Sequence, residues 1–145
     1  MTTFRTSREI QAPASAVFAA FEDPDRLARW WGPAGFTSTF HRFEFTPGGR
    51  WVFTLHGPDG KDYPNESVFS AIVADQKVVI QHESGHRFEL TVTLQERPGG
   101  TLVLWEQAFE DSAEAEAVRR FVEPANEQNL DRLTQEVTPG ISRPT

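Results

Sequence analysis

The run His82-Glu83-Ser84-Gly85-His86 fits HExxH, the spacing with which zinc peptidases present two imidazoles and a general-base glutamate. That chemistry needs a helix, because only a helix turns residues four apart onto one face and towards one metal. Here the flanks Val78-Val79-Ile80-Gln81 and Phe88-Glu89-Leu90-Thr91 are strand-like, and Ser84-Gly85 reads as a turn. The motif is therefore read as two histidines flanking a hairpin. No metal site and no cofactor is expected.

A second set is acid–base in character. Along their strands, Glu66 shares a face with Val68, His82 with Val78 and Ile80, and Glu106 with Leu102 and Leu104. Converging inside, they could move protons, with His82 near its working range and a carboxylate raised by burial. The plainer reading places them at strand ends in solvent, and it is favoured because charged groups are rarely buried. Trp105 and Val103 lie on the face opposite Glu106, and both faces are bulky, so the inward face of that strand stays open. A third set is Asn126 and Asn129, which fall near an apolar helical stripe through Val118, Phe121 or Val122, Ala125, Leu133 and Val137. An unpaired buried amide costs about 1–3 kcal/mol, so each needs a partner. A ligand or water in a cavity would serve, and so would backbone carbonyls freed by Pro124.

The elements that must position these residues follow from the period of the chain. Phe4 to Gln11 alternates as a first strand, and Ala14 to Phe21 has helical spacing. Asp23 or Asp25 caps a second short helix around Pro24, which ends at Trp30-Trp31. Gly32 and Pro33 then force a change of direction. Adjacent residues on a helix point about 100° apart, so one indole anchors the segment while the other looks elsewhere, as a lid would. Thr37 to Thr46 and Arg50 to His56 form a hairpin around Pro47-Gly48-Gly49, a turn with no helix after it and so no phosphate cradle. Strands follow at Glu66 to Ala74, Lys77 to Glu83, Arg87 to Gln95 and Thr101 to Phe109. A final helix, capped by Asp111 or Ser112, runs to about Val137, with a kink or break near Phe121 to Glu123 ahead of Pro124.

An antiparallel meander of this size must cover its apolar face, and the last helix is the element able to do so. The expected fold is α+β: a curved antiparallel sheet of six to seven strands gripping a long C-terminal helix, as one domain over residues 1–137, with 138–145 a frayed tail. The chain has 145 residues, so it can bury a core without staples. Its twelve phenylalanines and four tryptophans, against one methionine, line any interior space with rigid rings. The absence of cysteine excludes disulfides and thiolate metal sites. A net charge of −7, with Lys61 and Lys77 the only lysines, argues against nucleic acid. No leader or membrane span is visible, and a cytoplasmic setting is expected.

Trp30-Trp31-Gly32-Pro33-x-Gly35-Phe36, Pro47-Gly48-Gly49-Arg50-Trp51, Gly57-Pro58-Asp59-Gly60 and Tyr63-Pro64-Asn65 together resemble a known family. It is the bacterial branch related to the activator of heat shock protein 90 ATPase, within the START and birch-pollen-allergen-like helix-grip superfamily. The sequence departs from many members at Ala125-Asn126, where they carry Gly-Trp. The curved sheet gripping one helix is expected to enclose a mainly apolar, aromatic-lined cavity, and the leading role is non-covalent binding of a small hydrophobic or aromatic molecule. The cavity walls would be Trp30 or Trp31, Phe36, Phe43, Trp51, Phe53 and Trp105, with polar contacts from His82, Asn126 and Asn129. Two other roles occur in the superfamily. One is a polyketide cyclase-like or dehydratase-type enzyme, here using His82 with Glu66 or Glu106. The other is a module that contacts a chaperone, and a homodimer contact is a further possibility.

Overall fold

Seven strands form one antiparallel sheet in the order β1-β7-β6-β5-β4-β3-β2 in a computed structural model that describes residues 1–138. The strands are β1 (Thr2–Ile10), β2 (Thr37–Phe43), β3 (Arg50–His56), β4 (Asp62–Val73), β5 (Lys77–His82), β6 (Phe88–Arg97) and β7 (Gly100–Phe109). Two short helices, α1 (Ala14–Glu22) and α2 (Pro24–Trp30), separate β1 from β2, and α3 (Ser112–Val137) closes the chain. Asp23 caps α2 and Asp111 caps α3, each accepting from two backbone N–H groups of the first turn. This is the α+β helix-grip arrangement expected from the sequence.

The alternation along β7 settles its orientation. Thr101, Val103, Trp105, Gln107 and Phe109 are buried, so the Trp105 face looks inward and Glu106 looks out. Around Trp105 the core gathers Leu90, Val92, Ile80 and Val78 from the neighbouring strands, and Val17, Phe21, Leu27, Leu130 and Leu133 from the helices. At the β2–β3 end the interior is aromatic. Trp51 stacks on Phe53 at 4.3 Å and on Phe69 at 5.6 Å, with Phe43 edge-on to Phe69 at 5.7 Å. Gly49 in the hairpin turn is held there by close approach, since a Cβ would lie 2.0 Å from the Glu44 carbonyl oxygen.

Three elements differ from expectation. β4 begins at Asp62 and includes Pro64, which pairs with Thr54 of β3. β5 pairs with β4 only as far as Ser67, so Pro64 faces an open side where no N–H is needed. β2 stops at Phe43, after a register shift between Phe40 and Arg42. α3 runs unbroken through Pro124, and Phe121 is 64% exposed, so Val122 takes the inward position. Of the expected frayed tail, Thr138 is buried with its backbone N–H and hydroxyl both donated to the Thr134 carbonyl; residues 139–145 lie outside the described residues.

Candidate functional site

The turn after α2 decides the site. Gly32 adopts a φ of +102°, a conformation that L side chains rarely adopt, and its N–H points at α3. Asn129 Oδ1 accepts that N–H at 3.1 Å, and Gln128 Oε1 accepts the Ala34 N–H at 3.1 Å. Arg132 donates to the Arg29, Trp31, Gly32 and Pro33 carbonyls at 2.8, 3.3, 3.0 and 2.9 Å. These include carbonyls at the C-terminal end of α2, where a cation complements the helix dipole. Burial pulls the Arg132 guanidinium below its ordinary range. Glu136 adds ion pairs to Arg26 and Arg29, both at 3.0 Å. Burial works to raise its carboxyl, but the hydrogen bonds from Arg29 and Arg26 win and hold it below the ordinary range.

Beneath this latched loop lies a pocket of about 230 Å³ between α3 and the inner face of β3–β7. Trp31, Phe53, Leu55, Ile80, Phe88, Leu90 and Trp105 supply its apolar wall. Asn65, Ser67, His82, Gln107, Asn126 and Asn129 supply its polar atoms. Among the described residues, no Asp, Glu, Lys or Arg lines it. Asn126 Nδ2 donates to Gln107 Oε1 at 3.1 Å, bridging α3 to β7. His82 stacks on Phe88 at 4.6 Å and faces the Ser67 hydroxyl at 3.4 Å. Burial lowers its pKa, and the charge of His86 adds to this, while a hydrogen bond to the Ser84 backbone opposes. A wider outer recess of about 500 Å³ shares Pro33, Leu55, Asn65, His82, Phe88 and Gln107 with the pocket, and Phe36, Tyr63, Phe121 and Val122 rim it.

The sequence-predicted residues divide accordingly. Trp31, Phe53, His82, Trp105, Asn126 and Asn129 meet at the inner pocket. Phe36 lies in the outer recess, against Tyr63. Trp30, Phe43 and Trp51 do not line either space; they pack the core, with Trp30 Nε1 donating to the Ala20 carbonyl at 2.9 Å. The acid–base set is not assembled. Glu66 faces outward and pairs with Arg50 at 3.2 Å, and Glu106 pairs with Arg5 at 2.8 Å on the outer face of β7. The outward parity of both positions puts them across the sheet from His82. The HExxH run lies on the end of β5 and the following turn, with His86 bonded to Glu114 of α3. Among the described residues, no group of three or more His, Cys, Asp or Glu side chains is placed to hold a metal ion.

Sequence reasoning missed Gln128, Arg132 and Glu136. The signal was present: a helix ending in Trp-Trp-Gly-Pro leaves carbonyls that need donors, and Arg132 shares a helix face with Asn129 and Gln128.

A curved antiparallel sheet gripping a long C-terminal helix, with a pocket between them, defines a helix-grip, START-like protein. The family described as Activator of Hsp90 ATPase homolog 1-like protein matches residues 11–138, and the chain belongs to that family. The chain is similar to a protein of Arthrobacter aurescens, with a TM-score of 0.87 and 24% identity, covering 97% of this chain and 88% of that one. It is also similar to the AHSA1-like protein of Aeromonas hydrophila, with a TM-score of 0.75 and 24% identity, covering 95% and 93%. A protein of Nitrosomonas europaea gives a TM-score of 0.87 at 15% identity, covering 94% of each chain. At these identities the likeness is one of fold. Comparison with curated proteins returned no match. Among the described residues, no helix is long and apolar enough to cross a membrane.

Proposed function

We propose that this protein binds a small, mainly apolar molecule non-covalently in the pocket between α3 and the sheet. The observation that carries this reading is the pocket wall: rings and aliphatic chains, interrupted by a few neutral polar groups, under a loop fixed by hydrogen bonds. Binding is favoured over turnover because His82 has a hydroxyl rather than a carboxylate beside it, and both candidate glutamates face the other side of the sheet.

Native mass spectrometry of the protein purified from its own host, followed by tryptophan fluorescence titration with the molecule found, tests the proposal. Trp31 and Trp105 line the pocket, whereas Trp30 and Trp51 do not. Quenching should therefore disappear in the Trp31→Phe, Trp105→Phe double variant and persist in Trp30→Phe. No co-purifying molecule, and no quenching by a broad panel of aromatic and lipid compounds, would overturn it.

A further inference from the structure

We propose that the molecule bound in the inner pocket is electrically neutral and presents an acceptor oxygen, a carbonyl or an ether, to Asn129 Nδ2 and Trp105 Nε1. This rests on the binding reading above and adds the chemical class of the ligand. The Gly32 N–H fixes the orientation of the Asn129 amide, because its Oδ1 is the accepting atom. Its Nδ2 is then a committed donor, and among the described residues it is buried with no partner. Trp105 Nε1 can only donate, and it too is buried and unpartnered. Both side chains line the pocket, at 7% and 2% exposure. Trp51 Nε1 and Ser38 Oγ are likewise orphaned, but neither residue reaches the pocket wall.

Two orphan donors on the pocket's facing sides, one on α3 and one on β7, call for an acceptor, since an unpaired buried donor is destabilising. Asn126 and Gln107 bond each other, and His82 is paired with Ser67. A carboxylate is disfavoured because no Lys or Arg lines the pocket, and an ammonium because no Asp or Glu does. Burial holds His82 neutral at neutral pH, so it offers no compensating positive charge.

Three probes of one ring skeleton separate the possibilities on the full chain: 2-acetylnaphthalene, 2-ethylnaphthalene and 2-naphthoate, each titrated at pH 7 by tryptophan fluorescence and calorimetry. The ketone is expected to bind about tenfold tighter than the hydrocarbon, and tighter than the carboxylate. Asn129→Asp keeps an acceptor for the Gly32 N–H but removes the donor, and Trp105→Phe removes the other donor while keeping a ring. Each should cut the ketone's advantage, read as the ratio of ketone to hydrocarbon affinity in the same variant, by roughly three- to tenfold. Equal binding of ketone and hydrocarbon, or tightest binding of the carboxylate, overturns the acceptor inference and leaves the pocket reading standing. Binding of none of the three overturns both.

Discussion

Arg132→Met is the perturbation that tests the latch over the pocket. The guanidinium donates to four carbonyls between 2.8 and 3.3 Å, and the methionine side chain fills similar space without donating. Nη1 shares its two protons among three of these carbonyls, so the contacts amount to three hydrogen bonds, which at about 1.5 kcal/mol each would sum to about 4.5 kcal/mol. That overshoots. The Arg132 pKa is pulled down by burial, so the native state already carries a desolvation cost that methionine avoids. The freed carbonyls also sit at a partly exposed helix end, where water replaces some of the lost bonds. A net loss of about 2–3 kcal/mol remains. With an unfolding entropy of about 2.1 cal/mol/K per residue over 145 residues, this lowers Tm by about 7–10 °C. Hydrogen exchange supplies the local readout. If the loop opens on its own, the Gly32 and Ala34 amides lose about 30-fold of their protection, the equivalent of 2 kcal/mol, while amides in β6 and β7 keep theirs. Arg5→Met removes an exposed ion pair with Glu106 and should leave both readouts nearly unchanged. A Tm drop under about 2 °C for Arg132→Met, with Gly32 and Ala34 exchange unaltered, would refute the latch.

Three further outcomes are expected. Burial favours neutral His82 in the folded state, so the unfolded chain binds the extra proton first as pH falls. The contribution of His82 is complete above about pH 6.5 and is lost as pH falls towards the depressed folded value. Chemical denaturation across pH 5 to 7 should show this slope in the wild type and a flatter one in His82→Gln. Glu66→Gln and Glu106→Gln should each leave titration of the pocket by 2-acetylnaphthalene unchanged, because both carboxylates lie on the far side of the sheet; a loss of affinity in either would reopen the acid–base set. Gly49→Ala places a Cβ 2.0 Å from the Glu44 carbonyl oxygen, in the turn whose Gly49 carbonyl accepts the Phe69 N–H. It should cost more than about 2 kcal/mol in denaturant unfolding, and a near-neutral result would mean the turn has another low-energy shape.

The fold was legible because each signal was local. The Pro47-Gly48-Gly49 turn, the alternating strands and the helical period after Asp111 need no knowledge of distant residues. The split between the adjacent tryptophans was also local: Trp30 enters the core and Trp31 turns to the pocket, as neighbours 100° apart on a helix end must diverge. What could not be read was anything decided by pairing across the chain. Trp105 and Glu106 both sat among apolar neighbours, and only the packing of the helices against one face of the sheet chose between them. Trp51 and Phe43 looked like wall residues because core and wall share one aromatic composition; Trp51 stacked on Phe69 and Phe43 edge-on to it belong to the core. Asn129 was singled out for its need of a partner, but that partner, the Gly32 N–H, is 97 residues away.

α3 does two jobs with one surface, and the spacing of its residues shows how. Ala115, Leu130 and Leu133 are the fully buried apolar positions, with Val118 and Val122 partly buried beside them. A second line, Asn126, Asn129, Arg132 and Glu136, advances by three, three and four and faces the pocket and the loop above it. This line explains how a helix with few buried hydrophobic residues can still fasten to the rest of the protein: much of its grip is hydrogen bonding to the carbonyls and arginines of the α2 end. It also makes Asn129 a shared member of both devices, with Oδ1 holding Gly32 and Nδ2 left for the pocket. A molecule that bonds Nδ2 therefore orders the same amide that holds the loop. Binding should raise the protection of the Gly32 amide in wild type, and much less in Asn129→Asp, where the loop bond persists but the link to the pocket is gone. Equal protection gains in both proteins would show that loop and pocket are independent.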